Sequence, residues 1–157
     1  MIHDLKKIIF LDIDGVLNCE IDAIQNEFED ISKRCVKMLN TIIKETDAKV
    51  VISSVWRNNR TVDQLQELLE KYGFEGEVVS KTPHLGQGSL RGNEIRWWIE
   101  TNIPYEEQNN FKYVILDDDS DMLLWQKDNF LCVDGYCGIT PKIVYKACWI
   151  LKGKIGV

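Results

Sequence analysis

Two aspartates one residue apart, Asp12 and Asp14, end the apolar run Ile8-Ile9-Phe10-Leu11 and are followed by Gly15. A chain that turns directly after a strand brings both carboxylates to one point, and glycine permits so tight a turn. A second acidic cluster, Asp117-Asp118-Asp119 with Asp121, ends the run from Tyr113 to Leu116. Between the two in sequence, Ser53-Ser54 ends the run from Val50 to Ile52. Like charges gathered at the end of a buried sheet repel unless a cation joins them. Oxygen ligands without a neighbouring histidine or thiolate suit Mg2+ better than zinc. Asp-x-Asp-Gly is also an ordinary turn composition; polar residues at three apolar-run ends, carboxylates at two of them, make a site.

Residues so far apart meet only if a scaffold brings their strand ends together. Val78-Val79 and the run from Phe130 to Val133 complete a set of five short apolar runs suited to buried parallel strands. Helical patterns lie between them. Cys35, Met38 and Ile42, with Val36, Leu39 and Ile43, form a wide stripe after a Ser32 cap. Thr61 and Gln64 read as a capping box opening a helix with Leu65, Leu68, Leu69 and Tyr72 inward, stopped at Gly73. Ile95, Trp98 and Ile99 mark a third helix, in which at least one of Trp97 and Trp98 belongs to the core. Thr140-Pro141 opens a last helix with Ile143, Ala147, Ile150 and Leu151 on one face. This alternation predicts an α/β fold, a parallel sheet with helices on both faces. Such sheets bind ligands at the carboxyl ends of their strands.

The 157 residues suit one domain, 1–157, with no repeat or linker-like stretch. No apolar run approaches the roughly 20 residues needed to cross a bilayer, so no membrane partner is expected. The N-terminal run is shorter than the about 7–15 apolar residues of a secretory segment, which makes a cytoplasmic location the expectation. Five cysteines are an odd number with no CxxC pair, and His3 and His84 are the two histidines. Zinc is therefore not expected, and the thiols read as reduced and mostly buried. His84, beside Pro83, reads as a loop residue, and Gly86-Gln87-Gly88-Ser89 as a flexible loop without the Gly-Lys-Ser/Thr of a phosphate cradle. A net charge of −6 argues against a broad electrostatic grip on nucleic acid, and the scattered basic residues form no stripe for a duplex. A local basic rim is compatible with both.

The segments IIFLDIDGVLN, KVVISS and YVILDDDSDM resemble, in that order, motifs of the haloacid dehalogenase-like (HAD) superfamily of phosphohydrolases. SSVWR and RGNEI further resemble small HAD domains found with RNA-repair proteins. The resemblance implies a Rossmann-like sheet of order 3-2-1-4-5. It implies Asp12 as nucleophile, Asp14 as general acid/base and Ser53 as a phosphate ligand. It also implies a Mg2+ site drawn from Asp12, Asp14, Asp117 and Asp118. A basic residue completes the phosphate shell, with Arg91 preferred for its planar fork and Lys81 second. Val16 departs from the threonine many members carry, removing one polar contact. The acidic run admits two registers, Asp117 with Asp118 or Asp117 with Asp121, and Asp119 and Asp121 also suit capping of a following helix.

Residues 18–31 suffice for a short flap, and residues 54–90 for one helix, one strand and a loop. The enzyme is therefore expected to lack a sizeable cap domain, leaving its site open to a bulky substrate. Ser54, Trp56, Arg57 and Lys81 are the expected substrate-side residues. The Trp56–Arg60 loop offers an aromatic plate and two guanidinium groups for a terminal base or neighbouring phosphate; the plainer reading is a surface loop with a half-buried tryptophan. The order of acidic clusters excludes a receiver domain and a TOPRIM nuclease. The expectation is a Mg2+-dependent phosphomonoester hydrolase acting on a nucleotide or nucleic-acid terminal phosphate. A small-metabolite or mononucleotide phosphatase and a non-catalytic HAD-like module are the alternatives; the retained, mutually repulsive Asp12/Asp14 pair opposes the module.

Overall fold

The computed structural model describes residues 5–25 and 30–153. Five strands, β1 (Lys7–Leu11), β2 (Lys49–Ile52), β3 (Val78–Lys81), β4 (Lys112–Asp117) and β5 (Phe130–Cys132), alternate with helices. After β1 come α1 (Glu20–Gln25) and α2 (Lys33–Thr46), after β2 α3 (Val62–Glu70), after β3 α4 (Arg91–Asn102) and after β5 α5 (Pro141–Leu151). All four pairings are parallel and the order is β3-β2-β1-β4-β5. β1, the first strand made, is thus the central one, and its apolar run is buried on both faces.

The alternation of side chains along β1 divides the core. Ile9 and Leu11 join Leu39, Ile42, Leu65, Leu69, Ala147 and Leu151 from α2, α3 and α5. Ile8 and Phe10 face the other way and meet Ile95, Trp98 and Ile99 of α4. The caps form where the sequence places them. Ser32 Oγ accepts from the Cys35 N–H, Thr61 and Gln64 make a reciprocal capping box, and Thr140 Oγ1 accepts from Ile143 ahead of α5. α3 ends at Glu70, and the turn after it runs on to Gly73, whose φ is +93°.

One local expectation gains detail and one is corrected. Within the segment read as a flap, residues 20–25 form α1; residues 26–29 of that segment lie outside the described residues. Between the acidic run and β5 there is no α-helix, and Leu124–Gln126 makes a single 3-10 turn, so Asp119 and Asp121 have no α-helix directly after them to cap. Between β1 and β4 the described residues contain nothing of cap-domain size. No helix among them is long and apolar enough to cross a membrane.

The adjacent tryptophans of α4 separate cleanly. Trp98 is 1% exposed, packs edge-on to Phe10 at 5.3 Å between ring centroids and donates its indole N–H to Ser80 Oγ at 2.8 Å. Trp97 is 46% exposed. Chemical denaturation of the two alanine variants is expected to show Trp98→Ala losing about 3–5 kcal/mol and Trp97→Ala about 0.5 kcal/mol or less.

Candidate active site

The register sets the site. Leu11 pairs with Ile52 on one side and Leu116 on the other, so the next residues, Asp12, Ser53 and Asp117, emerge level with one another. Backbone bonds stitch this level together. The Asp12 N–H donates to Leu116 O and the Ser53 N–H to Leu11 O, each at 3.0 Å, and the Val133 N–H donates to Asp117 O at 2.8 Å. Three loops from three strands are thereby fixed relative to one another before any side chain is considered.

Asp12, Asp117 and Asp118 each bring a carboxylate oxygen to within 4.8 Å of the others. Asp12 and Asp117 are buried, Asp118 is exposed. Burial pushes Asp12 up to about 6, against the Ile13 N–H, the Ser54 hydroxyl and Arg91, which favour its charge. Burial, then the neighbouring Asp12 charge, pushes Asp117 up to about 8 against the Asp119 N–H and Arg91. Carboxylates so placed suit a divalent cation: they are close, oxygen-only and individually under-compensated. Asp118 lies directly against Gly15, whose φ is +76°; a Cβ there would stand 2.2 Å from Asp118 Oδ2. Gly15 therefore serves the turn and makes room for a site carboxylate. Of the two registers, the cluster is that of Asp117 with Asp118. Asp121 is occupied elsewhere: its Oδ2 accepts from the Arg91 N–H at 2.9 Å and its carbonyl from the Gly92 N–H, so it caps α4, which precedes it in sequence.

The sequence groups Asp14 with the metal ligands, but in the structure its carboxylate is not one of the clustered groups. It is exposed, and its Oδ1 accepts from the Trp56 indole Nε1–H at 3.0 Å and from Asn18 Nδ2 at 2.8 Å. Asn18 in turn accepts from the Gly15 N–H at 2.9 Å, closing the turn on itself. Trp56 packs partly against the core, with the Arg60 guanidinium carbon 5.5 Å from its ring centroid. Ser53 is fully buried, and its Oγ has no partner; Ser54 hydrogen-bonds Asp12. An unpartnered buried hydroxyl level with Asp12 is what a phosphoryl oxygen would satisfy.

Arg57 corrects the expectation of a substrate-side guanidinium. It is 3% exposed and lies under the site. Its nitrogens donate to the carbonyls of Ser53 (2.9 Å), Ser54 (2.8 Å), Thr82 (3.0 Å) and Pro83 (3.2 Å), and to Glu94 Oε2 at 2.7 Å. The Lys81 ammonium donates to the carbonyls of Arg57 and Arg60, bracing the same loop from outside. Arg91 is the cation at the carboxylates: its Nη1 meets Glu94 Oε2 at 3.2 Å and its Nε lies 3.8 Å from Asp117 Oδ2. Asn18 and Glu94 are site residues that sequence reasoning passed over. Glu94 stands on α4 three residues after Arg91, a spacing that puts both on one helix face. Gly92 lets that helix close in, since a Cβ there would lie 2.6 Å from Leu123 N.

A second cluster, Cys19, Asp22 and Cys35, is buried below α1 and α2. Its charge is already met: Arg34 Nε lies 3.1 Å from Asp22, Arg34 Nη2 is 3.4 and 3.5 Å from the two sulfurs, and the Ser32 hydroxyl donates to Asp22. A guanidinium in contact with every donor group leaves no electrostatic call for a metal there.

Parallel order 3-2-1-4-5 with acids at the ends of its central pair of strands defines a HAD-type domain. The chain belongs to the family described as the HAD domain in Swiss Army Knife RNA repair proteins, whose model matches residues 8–144. No curated protein and no solved structure matches it. The superfamily is one of phosphatase-type hydrolases that generally use Mg2+.

Because Asp12 and Asp117 hold protons more tightly folded than unfolded, the metal-free protein loses stability as pH rises from about 4 towards about 8. A cation bound by the ionised carboxylates offsets that loss. Saturating Mg2+ is expected to raise the melting temperature more at pH 8 than at pH 5, with Asp117→Asn removing most of the gain; an equal rise at both pH values would exclude binding at these groups. Cutting Arg57 to alanine removes the closest ion-pair partner of buried Glu94, leaving it Arg91, and takes the guanidinium donors from four carbonyls. Denaturant unfolding of Arg57→Ala should show a loss of about 3–5 kcal/mol.

Proposed function

We propose that the protein is a Mg2+-dependent phosphomonoester hydrolase working through an aspartyl-phosphate on Asp12. The observation that carries this reading is the convergence of buried Asp12 with Asp117 and Asp118, level with the unpartnered Ser53 hydroxyl and beside Arg91. Asp12, Asp117 and Asp118 would hold Mg2+, which neutralises charge on the phosphoryl group and on the attacking carboxylate. Asp12 attacks phosphorus, and the P–O bond to the leaving alkoxide breaks as that oxygen takes a proton from Asp14. Asp14, now a carboxylate, takes a proton from water as the water attacks the aspartyl-phosphate, releasing phosphate and restoring Asp12. Ser53 Oγ–H and the Arg91 guanidinium donate to the phosphoryl oxygens. Glu94 holds Arg91 from below.

The substrate we favour is a terminal phosphate of a nucleotide or nucleic acid. Three features support it: the family's association with RNA repair, the lack of a cap-sized insertion among the described residues, and exposed Trp125 and Tyr136 on the loops after β4 and β5. Gly135 lies against Asp118, with a Cβ there 3.3 Å from its Oδ2, so Tyr136 stands one residue from the cluster. The net charge of −6 favours a mononucleotide over a long polyanion and keeps that second reading in play. Five unpaired cysteines are consistent with action in the cytosol.

The test is Mg2+-dependent phosphate release by wild type and Asp12→Asn across 3′- and 5′-phosphorylated oligonucleotides, mononucleotides and sugar phosphates. Preference for an oligonucleotide end, lost at least about 1,000-fold in the variant, is the expected result. Preference for mononucleotides would move the enzyme into nucleotide metabolism. No release from any of them, with Mg2+ still bound, would overturn the nucleotide and nucleic-acid reading and leave a phosphoprotein substrate or a regulatory module.

A further inference from the structure

The loop after β2 reaches across to the loop after β1 twice, through the Ser54 hydrogen bond to Asp12 and through the Trp56 Nε1–H, which donates to Asp14 Oδ1 at 3.0 Å. Asn18 Nδ2 donates to the same oxygen at 2.8 Å. Both donors engage Oδ1 and neither engages Oδ2. The ring of Trp56 is otherwise committed, with core side chains against it and the Arg60 guanidinium over it. Arg60 Nη1 also donates to the Trp56 carbonyl at 3.0 Å, which keeps that guanidinium in place. Little of the ring remains for a stacked base, whereas its one polar atom is aimed at a site carboxylate.

We propose that Trp56 is a positioning residue for Asp14, fixing which carboxylate oxygen exchanges the proton. Resting on the phosphatase reading above, the inference follows from hydrogen-bond inventory. An oxygen that accepts two N–H bonds has no lone pair to spare for a proton, and an indole nitrogen can only donate. The proton of the acid form is thereby confined to Oδ2, the oxygen that would protonate the leaving alkoxide and later take the proton from water. Asp14 is exposed and two residues from Asp12, so an untethered side chain would have both solvent and the neighbouring carboxylate cluster open to it. The two N–H donors fix its direction, away from the carboxylate cluster. Because one donor comes from the β2 loop, the general acid/base is also tied to the segment that carries Ser53 and Ser54.

Trp56→Phe keeps an aromatic ring against the core and the Arg60 bond to the carbonyl of residue 56 while deleting the donor. Phenyl phosphate and 4-nitrophenyl phosphate are closely matched in shape, but the phenyl leaving oxygen is the more basic and needs the proton more. The expected result is a fall in kcat/KM of about 10- to 100-fold on phenyl phosphate, part of the full general-acid effect, and of less than about 3-fold on 4-nitrophenyl phosphate. KM and the melting temperature should stay close to wild type. Equal losses on both substrates, or none on either, would overturn the assignment, since packing alone cannot distinguish leaving groups. The contact itself is read without turnover: the Trp56 indole N–H resonance, identified by its loss in Trp56→Phe, should move in Asp14→Ala, and an unmoved signal would also overturn it. If wild type releases phosphate from neither ester nor from any substrate of the panel above, the phosphatase reading falls and the role of Trp56 falls with it, even where the indole signal moves.

Discussion

The structure is organised around the cost of burying two carboxylates side by side. Asp12 and Asp117 emerge level from neighbouring parallel strands, and each raises the energy of the other's charge. A parallel sheet cannot separate them, because its register fixes their positions through main-chain bonds that do not depend on side chains. Compensation therefore has to come from around them. Arg91 supplies a positive charge from α4, the Ile13 and Asp119 N–H groups supply dipoles, and the third acid, Asp118, makes the trio worth joining by a cation. A protein that had abandoned catalysis could relieve this repulsion by one substitution.

Beneath that surface lies a second ionic layer with a different task. Arg57 and Glu94 are both buried and paired, and Glu94 also holds Arg91. A buried pair is weak evidence for net stability, because desolvation offsets much of the attraction. Its geometric effect is clearer. Arg57 gathers the carbonyls at 53, 54, 82 and 83 onto one planar fork, so the loops after β2 and β3 are held to α4. Glu94 relays the same anchorage to the cation nearest the carboxylates. The site is thus supported from three secondary-structure elements by one short chain of charged contacts.

Much of this was legible in the sequence because it was periodic or local. Apolar runs of two to four residues, Ser32 and Thr61 caps and the Thr140-Pro141 start are signals within a few residues of the structure they specify, and all five strands and the four longer helices follow them. The acids at strand ends were legible because sheet geometry converts position in a run into position in space. The misreadings were of side-chain direction. Arg57 looks like a surface guanidinium beside a site, and nothing local says that its fork turns inward, since its partner Glu94 is 37 residues away. Trp56 shows its ring to a sequence reader and hides the direction of its N–H. Asp121 caps a helix that precedes it, a contact made by the fold and not by the chain. The short α1 has too few turns to display a period.

The central claim is that Asp12 becomes covalently phosphorylated, which distinguishes it from a carboxylate that only holds metal. An acyl phosphate is reduced by borohydride to an alcohol, so an aspartyl-phosphate is trapped as homoserine at its own position. The most direct measurement is peptide mass mapping after borohydride quench of the enzyme turning over with Mg2+. Homoserine at position 12, dependent on both Mg2+ and substrate and missing at positions 14, 117 and 118, is the predicted result. Steady phosphate release with position 12 unreduced, or with homoserine at another aspartate, would contradict the account.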